Sequence, residues 1–438
     1  MNDSQRRLLV RSIFVAGCLL PTAACLAWSL SRGGDRDRTD WEHRLTTHLG
    51  LRTQIESIGF PRPGAVLLER LRCYDSETDA LVVDARAIEI ESSGDGFVVR
   101  ASQPEIFADR GARLFEAIER RLRREFVDAE STARFEAAEL TWHVPGQSQT
   151  LVDVAAVIGS AESSQQLVVN FALSGSNAQE PVALRIKRST AVTPPETVVD
   201  LDTGATPLPC SALAPLHPAA GALGRRASYL GKIRLRHLAD GWHGTIAGEI
   251  TELDLAALVE RHLPHVLAGT ATVQIHRADV AAGRLHNCEF SMLGGPGQIS
   301  SALMASAAYH LALGDPRAAA DLRTTIPYDG LEFDLSLDES GIKLASRRPD
   351  ARRPMLWRGD LVYWQQPPAQ LAVQPTANLL RALAPEQELM VPAARQAAAL
   401  LELLPLPQRS VMRTPDVETR PIDMKLRVRE PTGNATPR

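Results

Sequence analysis

Residues 231–250 read GKIRLRHLADGWHGTIAGEI, and the alternation in this stretch decides the fold. Apolar and polar residues follow one another on both sides of the turn signal Ala-Asp-Gly at 239–241. Successive side chains of a strand point to opposite faces, so the pattern predicts two antiparallel strands with one apolar face and one wet face. The residues predicted on the apolar face are Ile233, Leu235, Trp242, Ile246 and Ile250.

The same alternation recurs along much of the chain. It is found at 167–174, 182–187 and 331–338, and at 271–276, where it adds Val273 and Ile275 to the apolar face. Turn signals at 93–96, 239–241 and 339–341 each separate two such runs at hairpin distance. The sequence therefore predicts a mainly β (α+β) protein: an elongated antiparallel meander sheet curled into a groove or sandwich, with a few short helices.

Helical spacing and composition divide the rest of the chain. Helices are predicted at about 107–126, 254–263, 298–313 and 376–404, the last interrupted near its prolines. The first part of the chain is predicted to hold a tail at 1–12, an anchor at 13–30 and a β-rich region at 31–192. A proline-rich linker or lid at 193–218 is predicted to lead to a second β-rich region at 219–375. A helical segment at 376–404 and a loose tail at 405–438, with one strand at 422–428, complete the predicted organisation.

The N-terminal segment from Ile13 to Leu30 is uncharged, is flanked by arginines and is long enough to cross a bilayer. Trp28 lies where an interfacial aromatic residue is favoured. We expect one N-terminal transmembrane helix. A cleaved signal peptide is an alternative because Ala23 and Ala24 are small, and lipoprotein processing at Cys18 is another.

Composition argues against several functional classes. The 48 basic and 52 acidic residues give a net charge of -4, which leaves no surplus of cations to bind a nucleic-acid backbone. Cys18, Cys25, Cys73, Cys210 and Cys288 have spacings that predict neither a disulfide framework nor a zinc site. No phosphate-binding loop, dinucleotide fingerprint or nucleophile motif occurs in a suitable context. We therefore expect no catalytic residue, no metal and no cofactor.

A glycine-punctuated pattern between residues 241 and 313 resembles a known family. It combines a strand-to-helix step in Gly244–Leu258, a hairpin in Leu267–Leu285 and the start of a helix in Gly297–Leu303. This arrangement resembles the C-terminal region of AsmA-like proteins, and Ile58–Ile90 resembles the opening unit of that family. The resemblance implies an inner-membrane anchor, a periplasmic β-sheet curled into a groove, and a role in envelope biogenesis or phospholipid movement.

Two non-catalytic functions follow as hypotheses. The first is binding or movement of membrane phospholipid along an apolar β-groove, with seven lipid-facing candidates: Ile233, Leu235, Trp242, Ile246, Ile250, Val273 and Ile275. The second is a tethered scaffold or secretion-system component that binds envelope protein partners through its sheet. In both, the bulk of the chain lies in the periplasm.

Overall fold

The computed structural model describes most of the chain between residues 35 and 383. The described residues are 21, 35–94, 96–107, 132–144, 147–161, 164–175, 180–189, 191–213, 218–259, 263, 265–314, 325–348 and 352–383. The predictions for 1–12, for the anchor at 13–30 apart from Pro21, and for 405–438 lie outside these residues. None of the helices in the described ranges has the length and apolar character needed to cross a bilayer.

Among the described residues strands predominate, and the helices are few and short. The strands are β1 (Arg52–Gln54), β2 (Ser57–Gly59), β3 (Ala65–Tyr74), β4 (Leu81–Ser93), β5 (Gly96–Phe107), β6 (Thr132–Val144), β7 (Gln147–Ala161), β8 (Ser164–Leu173), β9 (Val182–Ser189), β10 (Glu196–Asp202), β11 (Leu208–Pro209), β12 (Ser228–Leu238), β13 (Gly241–Asp254), β14 (Leu267–Ala268), β15 (Thr270–Ala281), β16 (Arg284–Gly294), β17 (Gly297–Ser300), β18 (Thr325–Tyr328), β19 (Gly330–Asp338), β20 (Gly341–Ala345), β21 (Pro354–Arg358), β22 (Leu361–Gln365) and β23 (Val373–Gln374). The helices are α1 (Asp35–Leu49), α2 (Pro218–Gly221), α3 (Leu255–Val259), α4 (Ser301–Leu311) and α5 (Thr376–Leu383), with 3-10 turns at Cys210–Leu213 and Ala369–Leu371.

In the part of the chain that the structure describes, 20 strands form one large sheet, and β14, β17 and β18 form a small second sheet. The ladder runs β3-β4-β5-β6-β7-β8-β9-β10-β12-β13-β15-β16-β19-β20, and every neighbouring pair is antiparallel except the parallel pair β5–β6. At about 4.8 Å per strand, this ladder is on the order of 60 Å long. The prediction of a mainly β protein with a large, mostly antiparallel sheet is confirmed. The parallel pair was not predicted, because alternation reveals the faces of a strand but not its partner.

The two margins of the sheet differ in their connections. At one, the hairpin margin, tight turns join β4 to β5, β7 to β8, β12 to β13, β15 to β16 and β19 to β20. The predicted turns at 93–96, 239–241 and 339–341 all lie there. At the other, the connection margin, the segments after β10, β13 and β16 carry most of the short helices and the small sheet.

The proline-rich segment 193–218 is not a linker between two sheets, which corrects the prediction. Residues 196–202 form β10, which pairs with both β9 and β12, so the ladder continues through this segment. Pro194 and Pro195 precede the strand, and Pro207 follows it. The strand therefore keeps all its backbone donors, and its proline-rich flanks do not prevent pairing.

Two predicted helices begin later than expected. Of the helix predicted at 254–263, Leu255–Val259 form α3, and residues 260–262 lie outside the described residues. Asp254 ends β13, and its Oδ1 accepts a hydrogen bond of 3.0 Å from Ala256 N, which caps α3. In place of a helix at 298–313, the first residues pair as β17, and Ser300 then caps α4.

The remaining helix predictions fall largely on residues that are not described. Phe107, where the helix at 107–126 was predicted to begin, ends β5, and 108–126 lie outside the described residues. The segment predicted helical at 376–404 is helical over α5, and residues after Leu383 also lie outside them.

Four strands bend near the connection margin. Arg70, Gln103, Asp153 and Glu252 lie inside β3, β5, β7 and β13 with φ values of 52°, 47°, 52° and 52°. Residue pairs are skipped around Arg70 and Gln103, and the register shifts beside Asp153 and Glu252. Such irregularities bend a strand and increase its twist.

Helices cover the two ends of the sheet. At the N-terminal end, Trp41, Leu45 and Leu49 of α1 pack against a buried cluster that includes Leu68 and Leu71 of β3. At the C-terminal end, α4 and α5 contribute to a larger core with β15, β16, β19 and β20. Both ends therefore have a closed apolar core.

Candidate functional site

A single row of apolar side chains crosses the whole ladder. The strand registers place one residue of each strand opposite one of the next, and directly opposed residues point to the same face. We call this face the inner face and the set the apolar row. Its members are Val66, Ile90, Val99, Phe135, Ala156, Val169, Leu184, Leu201, Ile233, Ile246, Ala278, Cys288, Leu337 and Ile342.

Burial of the inner-face residues changes along the strands, from one margin of the sheet to the other. Near the connection margin, Leu201 and Leu253 are buried. Ile186 and Leu235 each lie two positions nearer to the hairpin margin than the apolar row, and both are only partly buried. At the hairpin margin itself, Trp242 is 37% exposed. The inner face is therefore sealed along one margin and accessible towards the other.

The structure brings the seven sequence-predicted residues together on the inner face. Pairing of β12 with β13 sets Ile233 opposite Ile246, and pairing of β13 with β15 sets Ile250 opposite Val273. The remaining three follow the same registers. Their burial differs: one is buried, Val273; one is exposed, Trp242; and five are partly buried, Ile233, Leu235, Ile246, Ile250 and Ile275.

Cover over the inner face is uneven. Helix α1 packs on the first apolar cluster, and α4 and α5 on the last. The clusters between them consist of strand residues and of segment 208–223, which packs near the connection margin. Within the described residues, the cluster along β5 to β8 consists of strand side chains, whereas Leu208, Leu213 and Leu223, from the connection that contains a 3-10 turn and α2, pack against the row between β9 and β13 near the connection margin.

The opposite, outer face is polar and carries cross-strand ion pairs. Lys232 Nζ lies 2.8 Å from Asp202 Oδ2, and Arg234 Nε lies 3.1 Å from Asp200 Oδ1. The hydrogen bond from Lys232 lowers the pKa of the Asp202 carboxyl. These groups are largely exposed, so each pair adds little stability. They mark this face as the wet side of the sheet.

A tyrosine lies across two facing glycines on the inner face. Gly231 of β12 is opposite Gly248 of β13, and a Cβ at Gly231 would lie only 2.9 Å from Tyr229 Oη. That hydroxyl lies 3.0 Å from the carbonyl oxygen of Lys232 and 2.9 Å from that of Ala247, to which it donates. Burial raises the pKa of Tyr229 above its usual range. The glycine pair thus makes room for a buried, neutral phenol.

The character of the inner face changes at the hairpin margin. A second row of inner-face residues crosses β7, β8, β9, β10, β12 and β13. It lies four positions nearer to the hairpin margin than the apolar row. We call it the margin row: Ser160, Gln165, Arg188, Thr197, His237 and Trp242. Arg188 Nη1 donates a 2.8 Å hydrogen bond to Thr197 Oγ1, and the rings of His237 and Trp242 meet edge to face at 4.9 Å.

Sequence analysis did not single out Arg188. The signal was present, because the alternation of Val182, Leu184 and Ile186 continues to residue 188. A strand pattern that ends on a polar residue is easily taken as the end of the strand, and only the register shows that Arg188 lies on the inner face.

The described cysteines are buried free thiols. Cys73, Cys210 and Cys288 are 2%, 1% and 7% exposed. Burial raises the thiol pKa of Cys73 to about 11, of Cys210 to about 12 and of Cys288 to about 11. Thiols with so little thiolate are poor nucleophiles. A search of the described residues finds no group of three or more His, Cys, Asp or Glu side chains placed to hold a metal ion.

Comparison with known proteins does not identify a relative. No protein-family profile, curated protein or solved structure matches this chain.

Proposed function

We propose that this protein is a membrane-anchored, extracytoplasmic protein of envelope biogenesis that binds or moves phospholipid along its inner face. One observation carries the proposal: the apolar row is continuous across the ladder, and apolar inner-face residues on its hairpin-margin side, such as Ile186 and Leu235, are only partly buried. Partly buried apolar side chains in an unbroken row lose water when an acyl chain covers them. Large apolar surfaces that are incompletely buried commonly mark ligand or membrane contacts.

The sheet is proposed to curl into a groove around this row. Bends at Arg70, Gln103, Asp153 and Glu252 occur near the same margin, and that margin is where inner-face residues are most buried. The hydrogen bond of 2.7 Å from Gln147 Nε2 to Ser211 Oγ supports curling, because it links β7 to the segment that follows β11. The opening of the groove would then be the hairpin margin.

The energy available suffices for reversible lipid binding. Each fully buried methylene contributes about 0.8 kcal/mol, so ten methylenes that are half shielded contribute about 4 kcal/mol. Two such chains on one lipid contribute about 8 kcal/mol, from which the cost of immobilising the lipid must be subtracted. The result is an affinity at which a lipid can be both bound and released.

The resemblance to AsmA-like proteins supports the same function. The strand-to-helix step corresponds to β13 and the capped α3, the hairpin to β15 and β16, and the helix start to β17 and α4. In the proposed arrangement, residues 13–30 anchor the chain in the inner membrane and the sheet extends into the periplasm. A ladder of about 60 Å would need a partner or further copies to form a longer conduit.

The scaffold hypothesis has one observation in its favour. Large apolar residues are exposed in C-terminal elements, with Tyr309 73%, Leu361 63% and Val373 51% accessible. Addition of a partner strand is less favoured, because the short strands β1, β2, β22 and β23 lie along the ends of the sheet. A protein partner would therefore contact exposed side chains rather than extend the ladder.

Photocrosslinking from two neighbouring residues on opposite faces of the sheet tests the proposal. A benzophenone amino acid is placed at Leu235, on the inner face, or at Arg234, its neighbour on the outer face, in the full chain in its native membrane. We expect phospholipid adducts by mass spectrometry at 235 and not at 234. Protein adducts in place of lipid at 235 would favour the scaffold. Equal lipid labelling at both positions, or absence of phospholipid from protein purified in mild detergent, would refute lipid binding on this face.

A further inference from the structure

Arg188 is the cationic member of the margin row. It is partly buried, and its guanidinium lies at the border between apolar inner-face rows and the hairpin turns. Its hydrogen bond to Thr197 uses one of its five N–H donors. Among the described residues no carboxylate lies within 4.0 Å of its nitrogens, whereas Lys232 and Arg234 on the outer face both have acidic partners.

An arginine in this position suits an anionic ligand. A partly desolvated guanidinium is favoured when an anion accepts its remaining hydrogen bonds, and its planar donor array matches two oxygens of a phosphate. Two and three strands further along the margin row, His237 and Trp242 are exposed amphipathic rings of the kind found where lipid headgroups meet water.

The dimensions agree with a lipid lying along the strands. Arg188 is separated from Leu184 in the apolar row by four residues and from Val182 at the connection margin by six, distances of about 13 Å and 20 Å along β9. One leaflet of a bilayer has a hydrocarbon thickness of about 15 Å. Acyl chains can therefore extend from Arg188 to the apolar row and end there, short of the buried Val182.

We propose that Arg188 binds the phosphate of a phospholipid whose acyl chains lie along β9, β10 and β12 towards the connection margin. This assignment depends on the proposed lipid-binding function and adds an orientation to it. The headgroup stays at the hairpin margin, in water, while the tails lie over the partly buried Leu184, Val199 and Ile233. Lipid enters and leaves sideways between the hairpin turns, because helices close both ends of the inner face.

The test compares lipids with and without phosphate on the full chain in mild detergent. Fluorescent phosphatidylglycerol and fluorescent diacylglycerol with identical acyl chains are titrated against wild type, Arg188→Gln and Lys187→Gln. Lys187 is the matched control, because it is the preceding residue of β9, carries the same charge and is exposed on the outer face. Thermal unfolding confirms that the variants fold.

We expect Arg188→Gln to weaken phosphatidylglycerol binding about tenfold or more, to leave diacylglycerol binding unchanged, and Lys187→Gln to affect neither. Equal effects of the two variants, or equal loss of both lipids in Arg188→Gln, would overturn the assignment of the phosphate to Arg188 while leaving lipid binding intact. Failure of both lipids to bind wild type would refute the proposed function, and this assignment with it.

Discussion

Accessibility of the middle of the inner face can be measured by thiol labelling of Leu235→Cys. Leu235 lies on the inner face, on the hairpin-margin side of the apolar row, and it is partly buried. Cys288 is a native control in the same molecule, because it belongs to the apolar row at the C-terminal end, where α4 and α5 close the core. One reagent thus reports on an open and a closed part of the same face.

The expected difference follows from exposure and ionisation. At pH 7.5 a thiol with an ordinary pKa of about 8.5 is about 9% thiolate. The Cys288 thiol, with its pKa raised to about 11, is about 0.03% thiolate at that pH. Ionisation alone therefore makes the thiol introduced at position 235 about 300 times more reactive, and the low exposure of Cys288 widens the ratio.

Labelling is followed with a water-soluble maleimide, and peptide mass spectrometry gives a separate rate for each cysteine. Phospholipid vesicles should slow labelling at position 235 and leave the rate at Cys288 unchanged. Labelling at position 235 no faster than at Cys288 would show that the middle of the inner face is as closed as its C-terminal end. The argument for an accessible lipid surface would then fail.

Three further predictions concern the fold. Gly248→Ala places a Cβ 2.3 Å from the carbonyl oxygen of Leu230 and should lower the free energy of unfolding by at least about 2 kcal/mol in urea denaturation. Gly283→Ala, with φ of +76° and open space, should cost only about 1 kcal/mol. Gln103→Val should destabilise by more than about 1 kcal/mol and Gln103→Gly should not, because β-branched residues disfavour positive φ. The buried thiols ionise near pH 8.5 when unfolded but near 11 to 12 when folded, so their stability contribution should be complete below pH 8.5 and fall as pH rises towards 11.

Each of these has an outcome that contradicts it. Equal losses for the two glycine variants would mean that the close approach of β12 and β13 is not rigid. Destabilisation by Gln103→Gly equal to that by Gln103→Val would remove backbone strain as the cause. An alkaline stability profile that does not change when the three buried cysteines are replaced by alanine would show that the fall has another origin.

The sequence predicted which residues share a face of the sheet better than it predicted the order of the strands. Period-two alternation placed Ile233 and Ile246 on the apolar side, because burial of one face selects side-chain type at every second residue. Glycine turns predicted the hairpins for a similarly local reason. The pairing of β5 with β6 depends on contacts between segments distant in sequence, which no local pattern records.

The candidate site shows the same limit. The seven predicted lipid-facing residues share one face, yet their exposure ranges from buried Val273 to exposed Trp242, which depends on how helices and connections cover the sheet. Segment 193–218 was misjudged because proline content outweighed the short alternating run of β10, whose Val199 and Leu201 belong on the inner face. The position of Arg188 on the inner face follows only from its pairing with residues of the adjacent strands.

The single parallel pair β5–β6 also affects how this architecture can change in length. In the antiparallel parts of the ladder, loss or duplication of two adjacent strands returns the chain to the margin it left, so short turns and long connections keep their places. Removing one strand would exchange the margins for everything downstream. Among the described pairs, only β5 and β6 are consecutive strands that start from the same margin, so evolutionary or engineered size variants should differ by whole hairpins elsewhere in the ladder.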